Sequence, residues 1–192
     1  GISEMRWPGA GAVEVDKYRV YYSGTEDGTH YNGVGIIVSK EIDKCITNFV
    51  PVSERVMLIQ ISARPVNVNI IQIYAPTADK EDSEAEELYN KITQIFEKLP
   101  KQDVNIVMGD FNAKLGSEQK TELIGSHGLG ERNDRGDMLE RFMEQYSLVA
   151  LNTQFKQHPR RLYTWKSPKD KPEKVIRNQI DFILINKRFR NS

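Results

Sequence analysis

Val104-Asn105-Ile106-Val107-Met108-Gly109-Asp110-Phe111-Asn112 is a short apolar run that breaks into a turn bearing a carboxylate and an amide. The run Val104–Met108 predicts a strand, and Gly109-Asp110-Phe111-Asn112 a turn at its end. Catalytic groups tend to sit in loops held by a rigid strand. Glycine permits close backbone approach, while a carboxylate beside an amide can orient water and bind a hard cation through oxygen. Taken alone, Asp-x-Asn after a strand is most often only a turn.

The sequence on either side alternates between strand and helix. Tyr18–Tyr22, Val34–Val38, Val56–Ile61 and Val66–Tyr74 are rich in β-branched and aromatic residues. Ala63-Arg64-Pro65 makes the connection of a hairpin between the last two. The period then changes: Leu88, Ile92, Ile95, Phe96 and Leu99 recur at helical spacing, with Ser83 as the expected N-cap and Pro100 as the stop. A second amphipathic helix is predicted near Arg135–Tyr146, followed by strands at Leu148–Leu151 and Ile180–Ile185. With no repeat, low-complexity tract or linker, residues 1–192 read as one layered α/β domain.

The totals describe an ordinary globular protein, 39% hydrophobic and 28% charged. No apolar run reaches the ~20 residues of a membrane span. The single cysteine, Cys45, leaves no internal disulfide and no cysteine-based zinc site, which points to a reducing compartment, nuclear or cytoplasmic. Net charge is zero, yet Phe155–Ser192 holds 11 basic and 3 acidic residues, a net of +8, leaving −8 for the remainder. Such a segment suits a polyanion such as DNA, although charge runs are more often solvated loops.

Other chemistry-bearing residues lie at element ends. Glu4 follows Gly1-Ile2-Ser3, Tyr74 closes a strand before Ala75-Pro76-Thr77, and Asp181 interrupts an apolar strand, where a carboxylate needs a partner. Singly, Glu4 reads as a surface residue, and Tyr74 and Trp165 as core.

In order along the chain, Glu4, Tyr74-Ala75-Pro76-Thr77, Gly109-Asp110-Phe111-Asn112, Asn133 to Phe142, Tyr163-Thr164-Trp165 and Gln179-Ile180-Asp181-Phe182 resemble the motifs of the DNase I-like endonuclease/exonuclease/phosphatase family. Two stretches narrow the resemblance to apurinic-type endonuclease domains of RTE-type non-LTR retrotransposons. These are Gly1 to Gly9 and Gly128 to Gly136. The resemblance implies a two-sheet α/β sandwich that hydrolyses DNA phosphodiesters with Mg²⁺, or Mn²⁺ in its place. It implies Glu4 as a metal ligand, Asp110 as the group preparing the attacking water, and Asn112 as a phosphate- or metal-contacting amide. Tyr74 would bond the scissile phosphate and Asp181 would orient a catalytic histidine. Asn133 and Trp165 fall near the nucleic-acid face.

The chain also departs from that pattern. The family's opening asparagine-bearing strand and helix, and its closing Ser-Asp-His, have no counterpart within residues 1–192. His30, His127 and His158 lack the context of the catalytic histidine and read as surface residues. The expectation is therefore a catalytically incomplete chain, able to self-associate through exposed strand edges. The alternative readings are a non-catalytic nucleic-acid-binding or scaffold domain derived from such a nuclease, and a phosphatase of small phosphates.

Overall fold

A nearly continuous apolar run with β-branched Val56, Ile59 and Ile61 makes Val56–Ile61 a strand, and it pairs antiparallel with Val68–Tyr74 from Val56↔Ile73 to Ile61↔Val68. The computed structural model describes residues 1–118 and 120–191, so Ser192, the last residue of the basic stretch, lies outside the described residues. The chain divides into two compact units, residues 1–110 and 111–192.

In the first unit, β1 (Ile2–Ser3), β2 (Ala10–Val15), β3 (Tyr18–Ser23) and β4 (Val34–Ser39) form an antiparallel sheet in the order β1-β4-β3-β2. A helical turn, α1 (Lys40–Asp43), leads to β5 (Ile46–Ser53). Strands β5, β6 (Val56–Ile61) and β7 (Val68–Tyr74) are antiparallel neighbours. Helix α2 (Asp82–Phe96) then returns the chain to β8 (Val104–Asp110), which lies parallel to β7. This is the crossover that parallel pairing requires. Tyr21, Val34, Ile36 and Val38 of one sheet meet Met57, Ile59 and Tyr74 of the other in a buried core. Each such side chain contributes about 1.5–3 kcal/mol on burial. The opposite face of the second sheet is covered by α2, through Ala85, Leu88, Ile92 and Ile95.

The second unit contains α3 (Asp134–Tyr146), β9 (Leu148–Ala150), a ribbon of β10 (Trp165–Lys166) and β11 (Arg177–Asn178), and β12 (Asp181–Asn186). Strands β9 and β12 are antiparallel, and Leu139, Phe142 and Met143 of α3 are buried. Among the described residues no helix is long and apolar enough to cross a membrane.

Four expectations from sequence shift. Helix α2 starts at Asp82 with Glu81 at its cap position and no side-chain cap bond, so Ser83 lies inside the helix rather than capping it. Strand β8 runs on through Gly109 and Asp110, because both still pair with β7. Asp181 opens β12 rather than interrupting it. His127 is half-buried, its backbone N–H donating to Thr153 O, whereas His30 and His158 are exposed.

Candidate active site

Strand register fixes the residues of the first unit. Pairing of β7 with β8 sets Ile73 opposite Gly109 and Tyr74 opposite Asp110, so the phenol and the carboxylate leave the sheet on the same face. The Ala75 N–H donates to Asp110 O at 2.8 Å and closes the pair. Gly109 has φ +140°, and a Cβ there would fall 2.0 Å from Ile73 O, so only glycine fits.

Glu4 reaches the same place from the end of β1. Buried Gln72 on β7 holds β1, its amide donating to Ile2 O and to Ser3 Oγ, both at 3.3 Å. Met5 N–H to Gly33 O and Arg6 N–H to Asn32 O, both 2.9 Å, continue the attachment. Glu4 and Arg6 each take a left-handed backbone with φ 56°, a conformation that costs energy in non-glycine residues. Glu4 Oε1 accepts from the Tyr74 hydroxyl at 3.1 Å, and Oε2 pairs with Arg6 at 2.9 Å. Burial, with the Glu4 carboxylate next in effect and the Asp110 charge adding to it, raises the Tyr74 phenol above its ordinary value. The phenol therefore stays protonated and donating at neutral pH. Opposing them, the Arg55 guanidinium sits 5.1 Å from the centre of the Tyr74 ring and donates to Tyr74 O at 3.2 Å. Glu4, Arg6, His30, Tyr31, Asn32 and Tyr74 line a cleft of about 480 Å³.

The remaining residues singled out from sequence lie in the second unit. Phe111 N–H donates to Ile180 O at 2.9 Å, and the Phe111 ring meets Phe182 edge-on with centroids 6.1 Å apart. These contacts fasten Asn112, itself left-handed with φ 46°, beside the start of β12. Asn133 is the N-cap of α3: its Oδ1 accepts from Gly136 N at 3.0 Å and from Lys114 N at 2.9 Å. One amide thus both starts the helix and holds the turn that follows Asn112. Thr164 Oγ1 accepts the Ile180 and Asp181 backbone N–H groups, both at 3.1 Å. Burial raises the Asp181 carboxyl above its ordinary value, and a hydrogen bond from the Thr164 side chain opposes that shift. Trp165, which taken singly reads as core, is instead 39% exposed on β10.

The structure thus brings Glu4, Tyr74 and Asp110 together in one unit. Asn112, Asn133, Trp165 and Asp181 fall in the other. Sequence reasoning missed Arg6, Arg55 and Thr164. Arg6 and Thr164 lie within stretches that carry the resemblance but had no role of their own, and Arg55 gave no signal. Mg²⁺ is commonly held by one or two carboxylates, with waters and substrate phosphates completing its shell. Glu4 and Asp110, both close enough to bear on Tyr74, are a donor set of that kind. Among the described residues no group of three His, Cys, Asp or Glu side chains suited to a metal is found.

A family model described as endonuclease-reverse transcriptase matches residues 68–191. Craniofacial development protein 2 from Bos taurus is 38% identical over all 192 residues. The chain spans about a third of that relative's length, 32%. Among solved structures, the endonuclease domain of TRAS1, a telomere-specific non-LTR retrotransposon, superposes with a TM-score of 0.60. It is 18% identical, with 93% of this chain and 73% of that one covered. The AP endonuclease LMAP from Leishmania major gives a TM-score of 0.67 at 10% identity, covering 98% and 69% of the two chains. The mixed α/β architecture with several sheets is that of the DNase I-like proteins.

Proposed function

The chain belongs to the endonuclease-reverse transcriptase family, and we propose from that membership and the site's geometry that it is a retrotransposon-derived domain hydrolysing DNA phosphodiesters with Mg²⁺. The observation that carries the reading is the convergence of Glu4, Tyr74 and Asp110 from three separate strand ends. In this reading Glu4 and Asp110 hold the metal. When bound, Mg²⁺ supplies positive charge against the charge developing on the phosphate. Asp110 takes the proton of the attacking water and Asn112 contacts the phosphate. Tyr74, protonated at neutral pH, donates to a phosphate oxygen. In this reading Asp181 serves to orient a catalytic histidine and Trp165 faces the nucleic acid, while Asn133, which the resemblance also puts near that face, shapes the turn after Asn112. The basic stretch from Phe155 onward, net +8, favours a nucleic acid over a small phosphate.

One observation favours a second reading, a DNA-binding domain without cleavage: both Glu4 oxygens are already engaged, by Tyr74 and by Arg6. A substrate comparison separates these readings. Duplex DNA, a phosphoinositide and a simple phosphate monoester are each incubated with the chain and Mg²⁺. Set against the expectation of an incomplete chain, the first reading predicts cleavage of DNA alone, abolished by EDTA. DNA binding without cleavage would leave the second reading standing, and release of phosphate from the small substrates would overturn the choice of DNA.

A further inference from the structure

Part of the basic stretch folds around one carboxylate. Residues 163–178 form a ribbon: Thr164 N–H donates to Asn178 O, Ser167 N–H to Ile176 O, and Lys171 and Lys174 exchange backbone bonds at its tip. The tip is Lys171-Pro172-Glu173-Lys174, with proline where a tight turn accepts it. Inside the loop lies Asp170, whose side chain is 3% exposed. Its Oδ1 accepts Ile176 N–H at 2.7 Å. Its Oδ2 accepts from Arg177 Nε at 3.2 Å and Nη2 at 3.0 Å, with Lys166 Nζ at 3.5 Å. Arg177 is further pinned over the Tyr163 ring, 4.9 Å from its centre. Arg177 and the Ile176 N–H hold the Asp170 carboxyl below the usual carboxylate range. Arg177 is thereby turned inward, and Lys166, its side chain 55% exposed, is drawn toward the same carboxylate, while Lys169, Lys171 and Lys174 stay exposed.

We propose that Asp170 is a positioning residue for nucleic acid. By clasping both arms of the ribbon it presents Lys169, Lys171 and Lys174 as a preformed phosphate-binding edge. This rests on the reading of the chain as DNA-binding, and it makes a prediction opposite to charge counting. Removing a negative charge from a basic surface should tighten binding to a polyanion. If the carboxylate instead holds the edge in shape, removing it weakens binding, because the lysines must then be ordered at the moment of contact.

The test measures binding of a labelled duplex DNA to the chain at several salt concentrations, for wild type, Asp170→Ala, Asp170→Asn and the Lys171→Ala/Lys174→Ala pair. Amide exchange at Ile176 is followed in the DNA-free chain. Expected for Asp170→Ala are binding weaker by roughly threefold or more, a shallower salt dependence as phosphate contacts are lost, and faster Ile176 exchange. Asp170→Asn keeps an acceptor for Ile176 and should fall between. The double lysine variant should lose affinity with unchanged Ile176 exchange. Equal or tighter binding by Asp170→Ala, or unchanged Ile176 exchange in it, would overturn the clasp while leaving DNA binding intact. Absence of salt-dependent DNA binding by wild type would overturn both.

Discussion

The Tyr74 hydroxyl donates to Glu4 Oε1 at 3.1 Å, joining residues 70 apart in sequence. Tyr74→Phe removes this bond with little change of volume and should cost about 1 kcal/mol in a denaturant titration. The pH dependence has a definite sign. The phenol is raised in the folded chain, chiefly by burial and then by Glu4, so its contribution is complete below the ordinary tyrosine range. It is lost as pH rises through that range, because the unfolded chain gives up the proton first. Tyr74→Phe should flatten that alkaline loss.

Gly109 can carry no side chain. Alanine there must adopt φ +140° with its Cβ 2.0 Å from Ile73 O, between two paired strands. Gly109→Ala should destabilise the chain by roughly 3 kcal/mol or more, seen as a large drop in the thermal midpoint. A loss within a few tenths of a kcal/mol would contradict the β7–β8 register.

Asn133 is expected to act through structure. Its Oδ1 caps α3 at Gly136 and also holds Lys114. Asn133→Ala should cost about 1–2 kcal/mol, whereas Asn133→Asp or Asn133→Ser should recover most of it. Chemical denaturation of the three variants measures this directly.

Asp181 should be a group whose chemistry costs stability. Burial raises its carboxyl in the folded chain, with the Thr164 hydroxyl opposing. Stability therefore falls as pH rises from the ordinary carboxylate range through the raised value, where the unfolded chain ionises first. Asp181→Asn carries no charge and should melt higher at neutral pH, the advantage vanishing in acid. If Asp181 serves the reaction, the same variant loses activity while gaining stability.

Local pattern made much of the fold legible. The apolar, β-branched-rich run Val56–Ile61 marks β6 to the residue, and the spacing of Leu88, Ile92 and Ile95 finds the buried face of α2. Strand β5 was hidden because it contains Pro51, tolerated there at the sheet edge. Gly109 and Asp110 looked like the end of β8 because both disfavour strands, yet pairing to Ile73 and Tyr74 retains them. The basic stretch showed its charge but not its ribbon, since the short pairs Trp165–Lys166 and Arg177–Asn178 carry no apolar alternation. Of the candidate site, Glu4, Tyr74 and Asp110 could be named from motif order, while the Arg55 contact with Tyr74 follows from strand pairing that no local pattern records.

Nicking of supercoiled plasmid in Mg²⁺ by wild type and by Asp110→Ala tests the central claim most directly. The two proteins should share DNA affinity, with nicking falling by at least about a hundredfold in the variant, the scale of a lost general base. Equal nicking by both proteins would contradict the assignment of the site.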